Sequence, residues 1–126
     1  MEDFVKNNIE EFQQDGKNFI FFNIEGLSDN EQFERFADAA MEVISKYPPK
    51  SVYVITSRMT FFDTRTKDIC SKWIVFNKPH VIASALVSIN GITRMVAKSI
   101  YKQAQRDLAQ PFTSRDEAVA WLLTQK

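Results

Sequence analysis

Three short stretches of the chain are almost continuously apolar, which is the pattern of β-strands buried on both faces. They cover Asn18–Glu25, Ser51–Ser57 and His80–Val87, and they are rich in aromatic and β-branched residues. Strands of this kind are typical of parallel sheets, because helices cover both of their faces. The sequence therefore predicts three inner strands, and Pro111–Thr113 adds a short strand at an edge.

The segment before the first strand has two possible structures. Residues 3–14 carry Val5, Ile9 and Phe12 at positions i, i+4 and i+7, and this spacing favours a helix. The Asp15-Gly16 pair that follows can end such a helix, because glycine readily adopts the left-handed conformation. The same pair can instead close a hairpin onto the next strand.

Four further helices are predicted from capping signals and apolar spacing. They begin at a capping box of Ser28 and Glu31, at Asp63 or Thr64, at Asn90-Gly91, and at a second capping box of Ser114 and Glu117. The residues predicted to face the core are, helix by helix, Phe33, Phe36, Ala37, Ala40 and Ile44; Ile69, Cys70, Trp73 and Phe76 or Asn77; Ile92, Met95, Val96, Ser99 and Ile100; and Ala118, Trp121 and Leu122.

The alternation of strands and helices determines the fold class. Strands that alternate with helices are joined by right-handed crossovers and form a mainly parallel sheet. The chain has 126 residues, a common size for one domain. We therefore predict a single-domain α/β fold over residues 1–126, with a central sheet of about four strands flanked by helices.

Cysteine content and hydropathy narrow the setting of the protein. Cys70 is the only cysteine, so an intramolecular disulfide and a zinc site with several cysteines are both excluded. No apolar run approaches the ~20 residues that span a bilayer, and the N-terminus has no charged-then-apolar leader. We expect a cytoplasmic protein without a membrane span.

The net charge is zero, but the charges are unevenly distributed along the chain. Residues 1–42 hold eleven acidic and three basic residues, and residues 43–126 hold five acidic and thirteen basic ones, so the two parts carry −8 and +8. The two parts could lie against each other in the fold. Alternatively, they could support head-to-tail self-association or the binding of an acidic partner.

A basic stripe follows the third predicted inner strand. Arg94, Lys98, Lys102 and Arg106 are spaced at i+4 steps, which gives either a solvated helix face or a contact for an anionic ligand or an acidic protein. Nucleic acid is disfavoured as a partner, because the overall charge is neutral and no recognised binding motif is present.

The loops at the carboxyl ends of the strands form the candidate site, because ligands of open parallel sheets bind there. The most informative loop is 56–64, which is polar, ends at a helix N-terminus and holds two adjacent phenylalanines that cannot easily both be buried. The candidate regulatory or interaction residues in this loop and in the loop after the third strand are Ser57, Arg58, Thr60, Phe61, Phe62, Asp63, Thr64, Ser88 and Asn90.

Catalytic signatures are missing from the sequence. The only histidine, His80, begins its strand and therefore lies at the end of the sheet opposite the candidate loops, and no glycine-rich phosphate loop occurs. We expect no enzyme activity, no cofactor and no metal site. The remaining catalytic option is a minor enzyme built around Ser57, Arg58 and Asp63.

Several strings of this sequence resemble a known family. They are FFNIEGL at the first inner strand, SVYVITS with FDT following, NKPHVIASALVSINGITR, and FTSRDEAVAWLL near the end, and together they span nearly the whole chain. On these strings the chain resembles bacterial proteins of the SpoIIAA-like or STAS/SEC14 type, which are related in fold to the anti-sigma-factor antagonists. The resemblance implies a SpoIIAA/STAS-like fold and a role in signalling.

The resemblance also implies a candidate phosphorylation site. In anti-sigma-factor antagonists a Ser that follows an Asp at the start of a helix is phosphorylated by a partner kinase, and the matching pair here is Asp63-Thr64. Thr replaces that Ser, and Thr66 stands where the family pattern has Gly. By the resemblance, Thr64 would carry the phosphate and Asp63 would be its acidic neighbour.

Two functions are therefore predicted besides the minor enzyme. The leading one is a non-catalytic regulatory or protein-interaction module that is phospho-regulated near Thr64. A homodimer is compatible with this function. The alternative is a small-ligand or lipid-binding domain of the SEC14-like type. In that alternative Phe61, Phe62 and residues 88–90 form the mouth of a pocket for an apolar or anionic ligand.

Overall fold

Five strands and three helices follow one another along the part of the chain that the structure describes. In this computed structural model the described residues are 8–25, 27, 29–57, 63–87 and 110–125, apart from the side chains of residues 110 and 111. The elements are β1 (Ile9–Gln14), β2 (Lys17–Phe22), α1 (Asn30–Ile44), β3 (Val52–Thr56), α2 (Thr64–Asn77), β4 (Val81–Val87), β5 (Gln110–Phe112) and α3 (Arg115–Leu122).

The described strands form one sheet in the order β1-β2-β3-β4-β5. β1 pairs with β2 in the antiparallel direction, and the other three neighbouring pairs are parallel. Four of the five residues of the central strand β3 are buried, as its apolar sequence requires. The predicted α/β fold with a mainly parallel sheet is confirmed, and the strand beyond the expected four is β1.

The helix predicted over residues 3–14 is wrong in the part that the structure describes, where Ile9–Gln14 is the strand β1. Asp15 and Gly16 close a hairpin onto β2, as the alternative had it, with φ angles of 53° and 76° that are typical of a type I′ turn. The apolar spacing was misleading because residues three apart lie on opposite faces of a strand. Ile9 packs on one face of the sheet and Phe12 on the other.

Each face of the sheet has its own hydrophobic core. On the first face α1 and α2 cover the sheet, and Phe22, Phe36 and Trp73 meet edge to face with ring centroids 5.0 to 6.2 Å apart. On the second face α3 packs over Phe19 and Tyr53, whose rings stack at 5.1 Å. Truncating one such buried aromatic to alanine typically costs about 3–5 kcal/mol, so both cores contribute substantially to stability.

The start of α1 differs from its prediction by one residue. The N-cap is Asp29, whose side chain accepts a hydrogen bond from the Gln32 amide at 2.9 Å. The predicted box of Ser28 and Glu31 is therefore wrong as the cap, and the Glu31 carboxylate accepts instead from Arg35 at 2.6 Å. Aspartate and serine cap helices equally well, so local preference alone could not choose between positions 28 and 29.

The other described helices start where the sequence predicts. Asp63 caps α2, and Ser114 caps α3 by accepting from the Glu117 amide at 3.2 Å. The predicted inner position at the end of α2 is Asn77, whose amide oxygen, turned toward the indole, accepts from Trp73 Nε1 at 3.0 Å. Phe76 is 41% exposed. The helix predicted from Asn90-Gly91 lies outside the described residues.

Polar contacts join the acidic first part of the chain to the remainder. Arg115 donates to both carboxylate oxygens of Glu10, at 2.6 and 3.2 Å, and its guanidinium lies over the rings of Phe12 and Phe21. Arg65 and Glu34 form a second ion pair across this division. The opposite charges of residues 1–42 and 43–126 are therefore paired, at least in part, within the molecule.

The neighbouring carboxylate of β1 is held on the other face of the sheet. Tyr47 donates its phenolic hydrogen to Glu11 at 2.7 Å. Burial of the phenol, followed by this hydrogen bond, raises the pKa of Tyr47 to about 12. Tyr47 is therefore protonated at neutral pH, and its hydrogen bond joins the segment after α1 to β1.

The hairpin gives a first prediction. Gly16→Ala should lower the free energy of unfolding by about 1 kcal/mol, because an alanine at positive φ brings its Cβ against the backbone. Beyond the two chain neighbours of Gly16, a Cβ at this position meets no atom within 4 Å, so the loss should come from the local backbone alone. Gly16→Asn, which tolerates this conformation better, is the control in chemical denaturation. Equal stability of Gly16→Ala and the wild type would contradict the type I′ turn.

The Arg115 contacts give a second prediction. Arg115→Ala should lower the free energy of unfolding by about 1–2 kcal/mol at pH 7, by loss of the cation–π contacts and of a half-exposed ion pair. The free energy of unfolding of Arg115→Lys should lie between those of the wild type and Arg115→Ala, because lysine keeps the charge but not the bidentate geometry. Urea denaturation of the three proteins measures the difference.

The same pair should be sensitive to pH. The hydrogen bond from Arg115 holds the pKa of Glu10 below its usual range. A carboxyl whose pKa is lowered by folding stabilises the folded protein at pH values above its pKa in the unfolded chain, which is about 4.3 for glutamate. This stabilisation is lost as the pH falls through the pKa of Glu10 in the folded protein. The difference in free energy of unfolding between the wild type and Arg115→Ala should therefore become smaller as the pH falls from 5 to 3. A gap that stays constant would show that the carboxylate does not contribute.

Candidate functional site

The candidate site lies at the edge of the sheet where the parallel strands end. Phe22 of β2 lies beside Thr56 of β3, and Thr56 lies beside Leu86 of β4. The connections to α1 and α2 start at this edge, so the first turns of both helices lie close to it. Side-chain hydrogen bonds join the two connections at two places.

The first of these places is Ser57, directly after β3. Its amide donates to the carbonyl oxygen of Phe22 at 3.0 Å, which continues the parallel ladder by one residue. Its hydroxyl oxygen accepts from the Ile24 amide at 2.8 Å and donates to the Asn23 side-chain oxygen at 3.2 Å. Ser57 is buried, so its hydroxyl fixes the connection that follows β2.

The second place joins the first turns of α1 and α2, and we call its three side chains, Asn30, Asp63 and Thr66, the inter-helix bridge. Asp63 Oδ1 accepts from the Thr66 amide at 2.9 Å, and Oδ2 accepts from Asn30 Nδ2 at 2.9 Å. The Thr66 hydroxyl faces two acceptors, Asn30 Oδ1 at 2.7 Å and Asp63 Oδ1 at 3.1 Å. Each side chain of the bridge therefore contacts the other two.

The bridge changes the acidity of Asp63. The backbone amide of Thr66 and then the Asn30 side chain lower the pKa of this exposed carboxyl, with smaller contributions from the Thr66 hydroxyl and the Arg65 amide. Hydrogen bonds to a carboxylate favour its charged form. Asp63 is therefore ionised at neutral pH, and both of its oxygens are used within the chain.

Thr64 and Arg65 follow Asp63 on the exposed side of α2. Thr64 is the first residue of the helix and is exposed. Arg65 donates to Glu34 of α1 at 2.7 Å, and both side chains of this pair are more than half exposed. An ion pair of this exposure contributes little to stability, so it can be exchanged for another partner.

Two open depressions flank α2, one toward α1 and one on its outer side. Their volumes are about 350 and 510 Å³. Both have linings that mix charged and apolar side chains. The described residues of the first are Glu34, Ala37, Asp38, Met41, Arg65, Asp68, Ile69 and Lys72, and those of the second are Asp68, Ser71, Lys72, Val75 and Phe76.

Comparison with known proteins identifies the fold but no sequence family. No family model matches the chain, and no curated protein matches it in sequence. Among solved structures, an anti-sigma-factor antagonist (STAS) domain protein from Planctomyces limnophilus matches with a TM-score of 0.62 at 14% sequence identity. The match covers 92% of this chain and 98% of that chain.

The chain has a STAS fold. The SpoIIAA/STAS-like architecture that the sequence strings implied is thus confirmed at the level of structure. Because the identity is only 14%, the match extends to the fold and leaves the partner and the role of each residue as predictions.

Three of the nine predicted site residues are described, and all three lie at this edge of the STAS fold. Ser57 is buried in the first cluster, Asp63 caps α2 within the inter-helix bridge, and Thr64 is exposed beside it. The other six, Arg58, Thr60, Phe61, Phe62, Ser88 and Asn90, lie outside the described residues.

Sequence reasoning missed the residues that connect these positions. Asn23 and Asn30 come from the connection after β2 and the first turn of α1, more than thirty residues before their partners. Thr66 drew notice only because it replaces a glycine. The available signal was its position three residues after the cap Asp63, where a side chain can reach back to the cap.

Residues 8–25, 27, 29–57, 63–87 and 110–125 form no helix that is long and apolar enough to cross a membrane. The same residues contain no group of three or more His, Cys, Asp or Glu side chains placed to hold a metal ion.

The inter-helix bridge gives a third prediction. Asn30→Ala should raise the pKa of Asp63 part of the way to its usual value, since the Thr66 amide bond remains. Stability that comes from a lowered carboxyl pKa is lost as the pH falls through that pKa. Asn30→Ala should therefore lose less stability on acidification than the wild type does. Carbon-detected NMR titration of the Asp63 carboxyl measures the shift.

A matched control is available on the hairpin. Asn18→Ala removes an exposed hydrogen bond from Gln13 and should leave the Asp63 titration unchanged. An Asp63 titration that is the same in Asn30→Ala and the wild type would show that the contact between the helices does not form in solution.

Proposed function

We propose that the protein is a non-catalytic regulatory module that acts by binding another protein, and that its working surface is the first turn of α2 with the loop before it. The observation that carries this proposal is the exposed Thr64, which is held at the start of α2 by a fully bonded Asp63 cap. The STAS fold supports it, since the matching structure is described as an anti-sigma-factor antagonist domain.

The contacts of Ser57 and Asp63 favour binding over catalysis. A nucleophilic serine needs a general base within hydrogen-bond reach. The Ser57 hydroxyl accepts from the Ile24 amide and donates its own hydrogen to the Asn23 side-chain oxygen, which is not a general base. A general base needs a free oxygen, whereas both oxygens of Asp63 accept hydrogen bonds within the chain. These two residues therefore support the surface.

Thr64 is the residue at which the surface would be regulated. A phosphate on its exposed hydroxyl would add roughly −1.5 to −2 charges at neutral pH. It would lie at a helix N-terminus, where the amides and the helix dipole favour negative charge. The resemblance of Asp63-Thr64 to the phosphorylated Asp-Ser pair of anti-sigma-factor antagonists supports the same residue.

The ligand-binding alternative depends on residues outside the described part of the chain. Phe61, Phe62 and residues 88–90 would form its pocket mouth, and the small-ligand or lipid-binding function of the SEC14-like type stays a prediction. The homodimer and the cytoplasmic location likewise stay predictions. Native mass spectrometry would test the alternative, because a retained apolar or anionic ligand adds mass that denaturation removes.

Comparison of bound partners tests the proposed function and is the fourth prediction. Tagged wild type, Thr64→Glu and Thr64→Gln are used to capture proteins quantitatively from extract of the source cells. We expect at least one partner of the wild type and Thr64→Gln to be lost or gained about tenfold with Thr64→Glu, the change that 1.4 kcal/mol produces.

The control is the same substitution at a distant exposed threonine. Thr124 follows α3 and donates to the Trp121 carbonyl oxygen, so Thr124→Glu adds an equal charge away from the candidate surface. Identical partner sets for Thr64→Glu and the wild type would refute regulation at Thr64. The same loss with Thr124→Glu would show that only the net charge matters.

A further inference from the structure

The two helices of the proposed surface are joined at their starts by contacts of unequal exposure. The inter-helix bridge has Thr66 as its inner member, which is fully buried. Farther out, α1 and α2 are joined by the exposed Glu34–Arg65 ion pair. Asp63 and Arg65 thus each make one contact from α2 to α1, and Thr64 lies between them in the chain.

We propose that the inter-helix bridge is a latch between α1 and α2, and that negative charge added to Thr64 opens it. This inference rests on the proposed function, because it names how modification at that surface would be transmitted. A partner would then recognise a change in the relative positions of two helix starts in addition to the new charge. Asn30 and Thr66 are positioning residues in this scheme.

Two effects of a charge at Thr64 act in the same direction. It would follow Asp63 directly in the chain, and like charges on neighbouring side chains repel. It would also attract the neighbouring Arg65 guanidinium, since charge-assisted hydrogen bonds to phosphate are stronger than an exposed ion pair. Asp63 would be moved away from Asn30 while Arg65 is drawn away from Glu34, so two of the contacts between the helices weaken together.

The helix dipole opposes this opening of the latch, so the two effects predict different results for Thr64→Glu. Negative charge in the first turn stabilises a helix, so α2 itself should not unfold. If the dipole alone determined the result, Thr64→Glu would strengthen the first turn. The latch predicts the reverse at one defined place, which is the Thr66 amide that Asp63 caps.

Hydrogen exchange of the Thr66 backbone amide is the test. Thr64→Glu should speed exchange at this amide at least about tenfold relative to Thr64→Gln, the factor expected when a hydrogen bond to a charged acceptor is lost. The side-chain amide signals of Asn30 should move toward the values of a solvated asparagine. Amides of β3 should exchange as in the wild type, which excludes global destabilisation. Exchange at Thr66 that is equal or slower in Thr64→Glu overturns the proposal.

A second variant separates the latch from other effects of the charge. Asn30→Ala removes the α1 side of the bridge. The Thr66 amide can still donate to Asp63, but Asn30 no longer holds that carboxylate in place, so exchange at Thr66 should itself be faster. In this background Thr64→Glu should add little, because the contact that it opens is already gone. Full additivity of the two substitutions would overturn the latch, since independent effects add.

The partner experiment and the exchange experiment fail independently. Unchanged exchange with a changed partner set would refute the latch and leave the proposed function in place. Faster exchange with an unchanged partner set would support the latch as a property of the domain and refute regulation of binding at Thr64.

Discussion

The parallel pairing of β2, β3 and β4 is the constraint on which the rest of this structure depends. Parallel neighbours need a crossover between them, and here α1 and α2 are the crossovers that cover the first face. The pairing also brings all three carboxyl ends to one edge. The starts of α1 and α2 therefore meet although the sequence separates them by more than thirty residues. The candidate surface is a product of this topology.

Beyond the ends of the strands, side chains take over from the backbone ladder. The Ile24 amide has the Ser57 hydroxyl as its acceptor, and the Thr66 amide has the Asp63 carboxylate. Buried backbone groups must be paired, so short polar side chains are required at these positions. The polarity of the 56–64 loop, which sequence reasoning assigned to function, thus also has a structural cause at Ser57 and Asp63.

Local signals predicted most of the elements, and contacts distant in sequence decided the remainder. The buried strands and the caps at Asp63 and Ser114 each depend on a few adjacent residues, so the sequence was sufficient there. β1 was mistaken for a helix because its apolar residues belong to two different cores, which no single periodicity describes. Likewise, the Asp63 cap could be predicted, but its partner Asn30 could not, because only the tertiary fold brings them together.

β1 has a further consequence for the behaviour of the protein at high concentration. As an edge strand of the described sheet, it is where another polypeptide could add itself and begin aggregation. It carries two adjacent carboxylates, and contacts within the domain hold them, Glu10 through Arg115 and Glu11 through Tyr47. A second molecule that brought its own β1 alongside would add the same charges to a strand of six residues. Charged side chains on an edge strand are one of the ways in which natural sheets oppose growth into an intermolecular sheet.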